Sequence, residues 1–246
     1  MAANGMVLVT GGSRGIGAAV ARKLAGLGHP VAVNYASSPE AAGGVVDAIR
    51  AAGGRAEAIP GDVGDPEAIE AMFERATAAL GPLTGLVNNA GVTGKQARVA
   101  EQSGVDLSRL FAVNVVGTML CTGAAIRRMS TRLGGQGGAI VNIASVAART
   151  GGLPGIIPYA ATKGAIETFT RGVANEVALE GIRVNAISPG LIQTDMVSAA
   201  LAESAKGGIP IGRLGMPDDI AEAVAFLLSA ASSYMTGSVM TVSGGR

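Results

Sequence analysis

Short apolar runs alternate with longer, intermittently apolar stretches along the whole chain. Residues 6–9 are four apolar positions in a row, the pattern of a strand covered on both faces. Residues 18–27 follow, with Val20, Leu24 and Leu27 at helical spacing and Gly28 to stop the helix. The alternation then repeats. Strands are predicted at 31–35, 56–59, 86–88, 139–144, 183–188 and 238–242. Helices are predicted at 40–52, 66–80, 107–132, 158–180 and 217–231. Asp65 and Pro66 mark a helix start chemically, as a carboxylate cap before a proline that needs no hydrogen-bond acceptor. Such a succession predicts an α/β fold: one doubly wound parallel sheet of seven strands with helices on both faces. No linker, repeat or charge block divides residues 1–246, so a single domain is expected. Residues 190–215 are loop-rich, with a short helix expected near 198–205. Their Leu191, Ile192, Met196, Ile209, Ile211 and Leu214 suit a lid over an apolar substrate.

Composition sharpens this picture in three places. Glycine accounts for 38 of 246 residues, about twice the usual share, and clusters at strand ends where a nucleotide would lie. Lys and Arg total 19 against 18 Asp and Glu, so nothing in the charge points to nucleic acid or an anionic membrane. Cys121 and His29 are the only residues of their kinds, which argues against a disulfide framework, a cysteine zinc site or a histidine-based triad. No basic region precedes an apolar run at the N-terminus, and no stretch approaches 18 apolar residues; a cytoplasmic protein is expected.

The first predicted strand runs into Thr10-Gly11-Gly12-Ser13-Arg14-Gly15-Ile16-Gly17. Glycines between a strand and a helix let the backbone turn sharply and approach a pyrophosphate, while the helix presents free N–H groups and its positive end. The second strand closes with Asn34-Tyr35-Ala36-Ser37-Ser38, without the acidic residue that would hold an unsubstituted ribose. Arg14, Ser37 and Ser38 instead offer donors that suit a 2′-phosphate, so NADP(H) is favoured over NAD(H).

Tyr159 and Lys163 stand four residues apart in a predicted helix, so both side chains share one face. A phenol titrates at about 10, and a neighbouring cation is expected to lower that value toward useful proton exchange. Ser145 lies where the fifth strand ends, the edge at which ligands bind in such sheets. Together these elements resemble the short-chain dehydrogenase/reductase family in its shorter, non-extended branch, over nearly the whole chain. Residues 10–17 resemble its T-G-x-x-x-G-x-G cofactor loop, Asp62-Val63 its adenine position, and Asn88-Asn89-Ala90-Gly91 its N-N-A-G element. Pro189-Gly190, with Ile192 and Thr194 beyond, resembles the segment beside the nicotinamide. The resemblance implies a Rossmann domain with Asn114, Ser145, Tyr159 and Lys163 as catalytic residues. It implies that Lys163 also holds the nicotinamide ribose, and that Asn114 kinks its helix and holds a water of a proton relay.

The expected activity is hydride transfer between NADP(H) and a carbonyl or secondary alcohol, such as a 3-oxoacyl thioester or a sugar, with Tyr159 as proton donor or acceptor. A catalytically idle NADP(H) sensor or scaffold is the alternative; a sugar-nucleotide epimerase would need a larger C-terminal region than this chain has. An acyl carrier protein partner would call for cations at the site mouth, for which Arg127 and Arg128 are available. Asn175, at a helix position where a basic residue would have strengthened that case, and Ser243, where many relatives carry Asp, leave that partner open. By resemblance, the apolar helices near 107–132 and 157–180 and the last strand would build a homotetramer.

Overall fold

The computed structural model of the chain describes residues 5–194 and 207–246. Seven parallel strands form one sheet in the order β3-β2-β1-β4-β5-β6-β7. They are β1 (Met6–Val9), β2 (Val31–Tyr35), β3 (Ala56–Pro60), β4 (Leu83–Asn88), β5 (Gly138–Ile143), β6 (Ile182–Pro189) and β7 (Val239–Val242). The helices are α1 (Gly15–Gly26), α2 (Pro39–Ala51), α3 (Pro66–Leu80), α4 (Gly104–Phe111), α5 (Thr118–Met129), α6 (Ala147–Thr150), α7 (Ile157–Val177) and α8 (Pro217–Leu228). The expected doubly wound architecture is therefore present. The short helix expected near 198–205, and with it Met196 and the middle of the 190–215 lid, lies outside the described residues.

The period of two along a strand builds both layers at once. In β1, Val7 and Val9 enter a core with Val20 and Leu24 of α1, Val46 and Ile49 of α2, and Ile220 and Val224 of α8. Met6 and Leu8 enter the opposite core with Met72 and Phe73 of α3, Cys121 and Met129 of α5, and Val173 of α7. Asp65 caps α3 as predicted, accepting from the Glu67 N–H at 3.1 Å. After β3 the chain crosses the sheet to place β4 beside β1, so the connections of these neighbours leave in opposite directions and a crevice opens between them.

One predicted helix required correction. Residues 107–132 do not form a continuous α-helix. Between α4 and α5 the backbone widens into a π-helical turn over Ala112–Gly117, and the last residues form a 3₁₀ turn at Thr131–Leu133. The turn contains Asn114, whose side chain is held by the backbone of Val92, and Thr118 returns a hydrogen bond to the Asn114 carbonyl at 3.1 Å. Such insertions into helices concentrate where a side chain must be re-aimed. The run is also more apolar than the sequence reading allowed. Gly104–Met129 contains an 18-residue window of mean hydropathy 1.5, long and apolar enough to cross a membrane, and 56% of that window is buried within the fold.

Candidate active site

The glycine loop joins β1 to α1 at the crevice. Gly15 has φ +52°, a left-handed conformation that L side chains rarely adopt. Gly17 is packed so closely that an added Cβ would meet the carbonyl oxygen of Gly11 and stand 2.6 Å from Asn89 Nδ2. Arg14 is the extended residue before α1; no side chain caps the helix and no acidic residue occupies its first turn. Its free N–H groups and positive end therefore face the crevice beside the half-buried Ser13 and Ile16.

Two neighbours brace this loop. Thr10 Oγ1 accepts from the N–H groups of Asn89 and Ala90 at 3.0 and 3.1 Å, and Asn89 Nδ2 donates to the carbonyls of Thr10 and Gly11 at 3.0 Å each. Asn34 was expected among the cofactor contacts. It is buried instead, accepting from Gly11 N–H at 3.2 Å and donating to the Gly61 carbonyl at 2.8 Å. It supports the loop from beneath because its amide is consumed by backbone.

At the β2 end, Arg14 and Ser37 are exposed while Tyr35 and Ser38 are half-buried, and Glu40 sits in the first turn of α2. Asp62 follows β3 beside the buried Val63. Its carboxylate accepts from Gly64 N–H at 2.8 Å and from Arg109 of α4 at 2.7 Å. Burial pushes its pKa up, but Arg109 and the Gly64 N–H outweigh that and hold it below the ordinary value. Across the crevice, Pro189 and Ile192 are buried, Gly190 is half-buried, and a Cβ on Gly15 would stand 3.4 Å from Thr194 Cγ2. Residue 194 thus stands over the start of α1.

Ser145, Tyr159 and Lys163 meet at the carboxyl end of β5. Ser145 Oγ accepts from Ala147 N–H at 3.2 Å, at the start of α6, a helix too short to be read from periodicity. Tyr159 lies in the first turns of α7. Burial pushes its phenol above the ordinary value, and the Ser145 hydroxyl offsets part of that shift. The sequence expectation had the opposite sign, with Lys163 lowering the phenol. The difference has a physical cause. Lys163 is 5% exposed, burial pushes its own pKa down to about 8, and its ammonium donates to the Ile143 carbonyl at 2.7 Å. Its Nζ lies 5.6 Å from the centroid of the Tyr159 ring.

Asn114 is 1% exposed and commits its amide to Val92 N–H and carbonyl, at 2.9 and 2.8 Å, and to Thr162 Oγ1 at 3.1 Å. A Cβ on Gly91 would stand 3.4 Å from Asn114 Oδ1 and 3.6 Å from Lys163 Nζ, so these two groups flank Gly91. A buried chain fixes the surrounding elements: Asn88 donates to Thr122 and Asn142, and Asn142 donates to Thr170, at 2.9–3.0 Å. It ties β4 and β5 to α5 and α7. Sequence reasoning overlooked Thr10, Arg109 and Thr162. Thr10 stood inside the quoted loop motif, whereas nothing local marks Arg109 as the partner of Asp62.

The uncapped helix start, the left-handed Gly15 and the half-buried Gly91 between Asn114 and Lys163 fit a dinucleotide laid across the crevice. A family model described as enoyl-(acyl carrier protein) reductase matches residues 11–246. The chain belongs to the short-chain dehydrogenase/reductase family. Within that family it is 43% identical to the "Uncharacterized oxidoreductase YgfF" of Escherichia coli (strain K12), over 98% of this chain and 99% of that protein. It is 41% identical to the 3-oxoacyl-[acyl-carrier-protein] reductase FabG of Staphylococcus aureus, over 97% of this chain and 96% of that one. A short chain dehydrogenase from Burkholderia cenocepacia J2315, solved in complex with NADP, superposes with a TM-score of 0.91 at 37% identity, covering 98% of this chain and 96% of that one. This short-chain dehydrogenase/reductase is therefore an oxidoreductase.

Arg127 and Arg128, considered as cations at the mouth, do not serve there. They occupy the last turn of α5, which runs back to the start of β5, and both pair with Glu70 of α3. That is the opposite edge of the sheet from Ser145.

The buried lysine carries a stability signature. Lys163 releases its proton near pH 8 when folded and near 10.5 when unfolded. Between those values the unfolded chain binds more protons, so stability rises with pH, by up to about 1.4 kcal/mol per pH unit. The urea midpoint of the wild type is expected to gain on that of Lys163→Met across this window. Parallel pH profiles for the two proteins would refute the buried, depressed lysine.

Proposed function

We propose that this chain is an NADP(H)-dependent oxidoreductase that moves a hydride between nicotinamide and a carbonyl or secondary alcohol. The observation that carries the reading is the meeting of the Ser145 and Tyr159 hydroxyls at the carboxyl end of β5, with the Lys163 ammonium beside them. NADP(H) supplies the hydride when bound. Ser145 donates a hydrogen bond to the substrate oxygen as negative charge builds there. Tyr159 gives that oxygen a proton in reduction and takes one in oxidation. Burial keeps the phenol protonated, the form that can donate to a substrate oxygen. Lys163 holds the nicotinamide ribose, and its place across Gly91 from Asn114 supports a proton relay between them.

Gly11, Ser13, Gly15, Ile16 and Gly17 hold the pyrophosphate in this reading. Asp62 and Val63 take the adenine, and Asn89, Ala90, Gly91, Pro189, Gly190, Ile192 and Thr194 line the nicotinamide side. Arg14, Ser37 and Ser38, with no carboxylate among them, support a 2′-phosphate. The NADP complex of the Burkholderia relative supports the same choice.

The substrate side joins two loops, since Ala97 N–H donates to the Gly155 carbonyl at 3.1 Å. Val92, Leu153 and Ile157 stand there 39–41% exposed, which supports an aliphatic carbonyl such as the 3-oxoacyl thioester named for the S. aureus relative. Residues 190–215 act as the substrate cover of a single domain. Their two ends are pinned together where Ile192 pairs with Gly215, and the second end is anchored to α8 where Arg213 grips Asp219 at 2.6 and 2.9 Å. Phe111, Val116, Met119 and Leu120 are 38–44% exposed from the end of α4 through the π turn to α5, a face that further copies would cover in a homotetramer. The lone, buried Cys121 is at home in a reducing cytoplasm.

The test is NADPH and NADH oxidation with acetoacetyl-CoA and an unactivated ketone. NADPH is expected to give a kcat/KM about tenfold or more above NADH, the value of a charge-assisted clamp on one phosphate. Preference for NADH would remove the role given to Arg14, and no turnover by a protein that binds NADPH would favour the sensor reading.

A further inference from the structure

A buried carboxylate lies on the same face of α7 as the site residues, two turns beyond Tyr159 and one beyond Lys163. Glu167 is 8% exposed and has no part in the chemistry above. Its Oε1 accepts from Ser188 Oγ at 2.6 Å, and its other oxygen lies 3.7 Å from Arg171, whose side chain is more than half exposed. A buried carboxylate is costly unless it is satisfied, so a fold that keeps one there has a specific partner for it.

That partner stands at a junction. Ser188, fully buried, is the penultimate residue of β6 and precedes Pro189-Gly190. The Pro189 carbonyl accepts from Val146 N–H at 3.0 Å, next to Ser145, and the Ile187 carbonyl accepts from Ala144 N–H at 2.7 Å. The strand end held by Glu167 therefore holds the loop that carries Ser145. One turn earlier, Lys163 grips the Ile143 carbonyl on β5, and Ile143 is in register with Ile187 on β6. The helix is thus pinned to two adjacent strands at two successive turns of one face.

We propose that the Glu167–Ser188 hydrogen bond is a positioning device for the reaction, setting the distance between the α7 hydroxyl of Tyr159 and the Ser145 loop. The proposal rests on the assignment of those two hydroxyls to proton transfer. Glu167 touches no substrate or cofactor in this account; it acts through Ser188, Pro189 and Val146. A displacement of about 1 Å at a reacting group can cost about 10²-fold in rate.

Four variants test it: Ser188→Ala, Glu167→Leu, their combination, and Glu167→Gln, which keeps an acceptor for Ser188. Amide exchange at Val146 is read by NMR on the protein without ligand, and is expected to be about tenfold faster in Ser188→Ala. With NADPH and acetoacetyl-CoA, kcat is expected to fall by about 10–10²-fold while both KM values stay near wild type. The double variant is expected to be no worse than the more damaged single one, because both remove the same link, and Glu167→Gln to regain most of the rate. Unchanged exchange at Val146 overturns the proposal, as do additive losses or a glutamine variant as slow as the leucine one. If Glu167→Leu fails to fold, Ser188→Ala decides alone. A wild type that turns over no carbonyl would refute the assigned reaction, while the exchange measurement would still judge the link.

Discussion

Tyr159→Phe is expected to lower kcat by about 10²–10⁴-fold, the range in which a positioned general acid contributes. The binding of NADPH should survive. The substitution removes one oxygen and keeps the ring, and the Lys163 bond to the Ile143 carbonyl does not pass through the phenol. Stability should change little, because the lost hydroxyl gives up only its interaction with Ser145. Steady-state kinetics with NADPH and a carbonyl, alongside NADPH fluorescence titration, read the two effects separately. A variant that keeps its rate would mean that another group delivers the proton. A variant that loses cofactor affinity in proportion to rate would mean that Tyr159 chiefly binds.

Gly17→Ala is expected to damage the other end of the crevice. One methyl group would be forced against the Gly11 carbonyl oxygen and, at 2.6 Å, against the Asn89 side chain. Both belong to the brace around the glycine loop, where Asn89 reaches back to Thr10 and Gly11. Overpacking of this kind costs about 1–3 kcal/mol, which corresponds to a fall in Tm of about 2–12 °C for a chain of this size. The larger effect is on the cofactor, since the loop must shift away from the geometry that directs its N–H groups. NADPH affinity is expected to fall by well over an order of magnitude at temperatures where the variant is fully folded. Near-normal NADPH binding by isothermal calorimetry would show that the loop yields without consequence.

Much of this could be read from residues because the signals were local. Most strands were apolar runs and most long helices apolar stripes, so element order and sheet architecture followed from the alternation. Asp65 announced its own cap. What the sequence did not reveal depends on partners distant along the chain. The resemblance implied a kink at Asn114, but the π-helical form of the turn over Ala112–Gly117 is visible only once Asn114 is known to grip Val92, 22 residues away. The Asp62–Arg109 pair spans 47 residues, and Glu167 meets Ser188 across 21. The sign of the Tyr159 shift was misjudged for a related reason. Helical spacing shows that two side chains are neighbours, but not how deeply the fold buries them, and here burial, opposed only in part by the Ser145 hydroxyl, sets the sign.

The opposite departures of the chain from β1 and β4 make the crevice a product of connectivity, not of any side chain. The dinucleotide groove is drawn from the strands and from the turns directly attached to them. The mouth proposed for the substrate is drawn from residues 92–98 and 151–157, which are joined to each other by Ala97 and Gly155. Such a division separates inheritance from adaptation. On the proposed function, the mouth could be rewritten for a new carbonyl, one loop residue at a time, while the hydride donor would stay where the topology directs it.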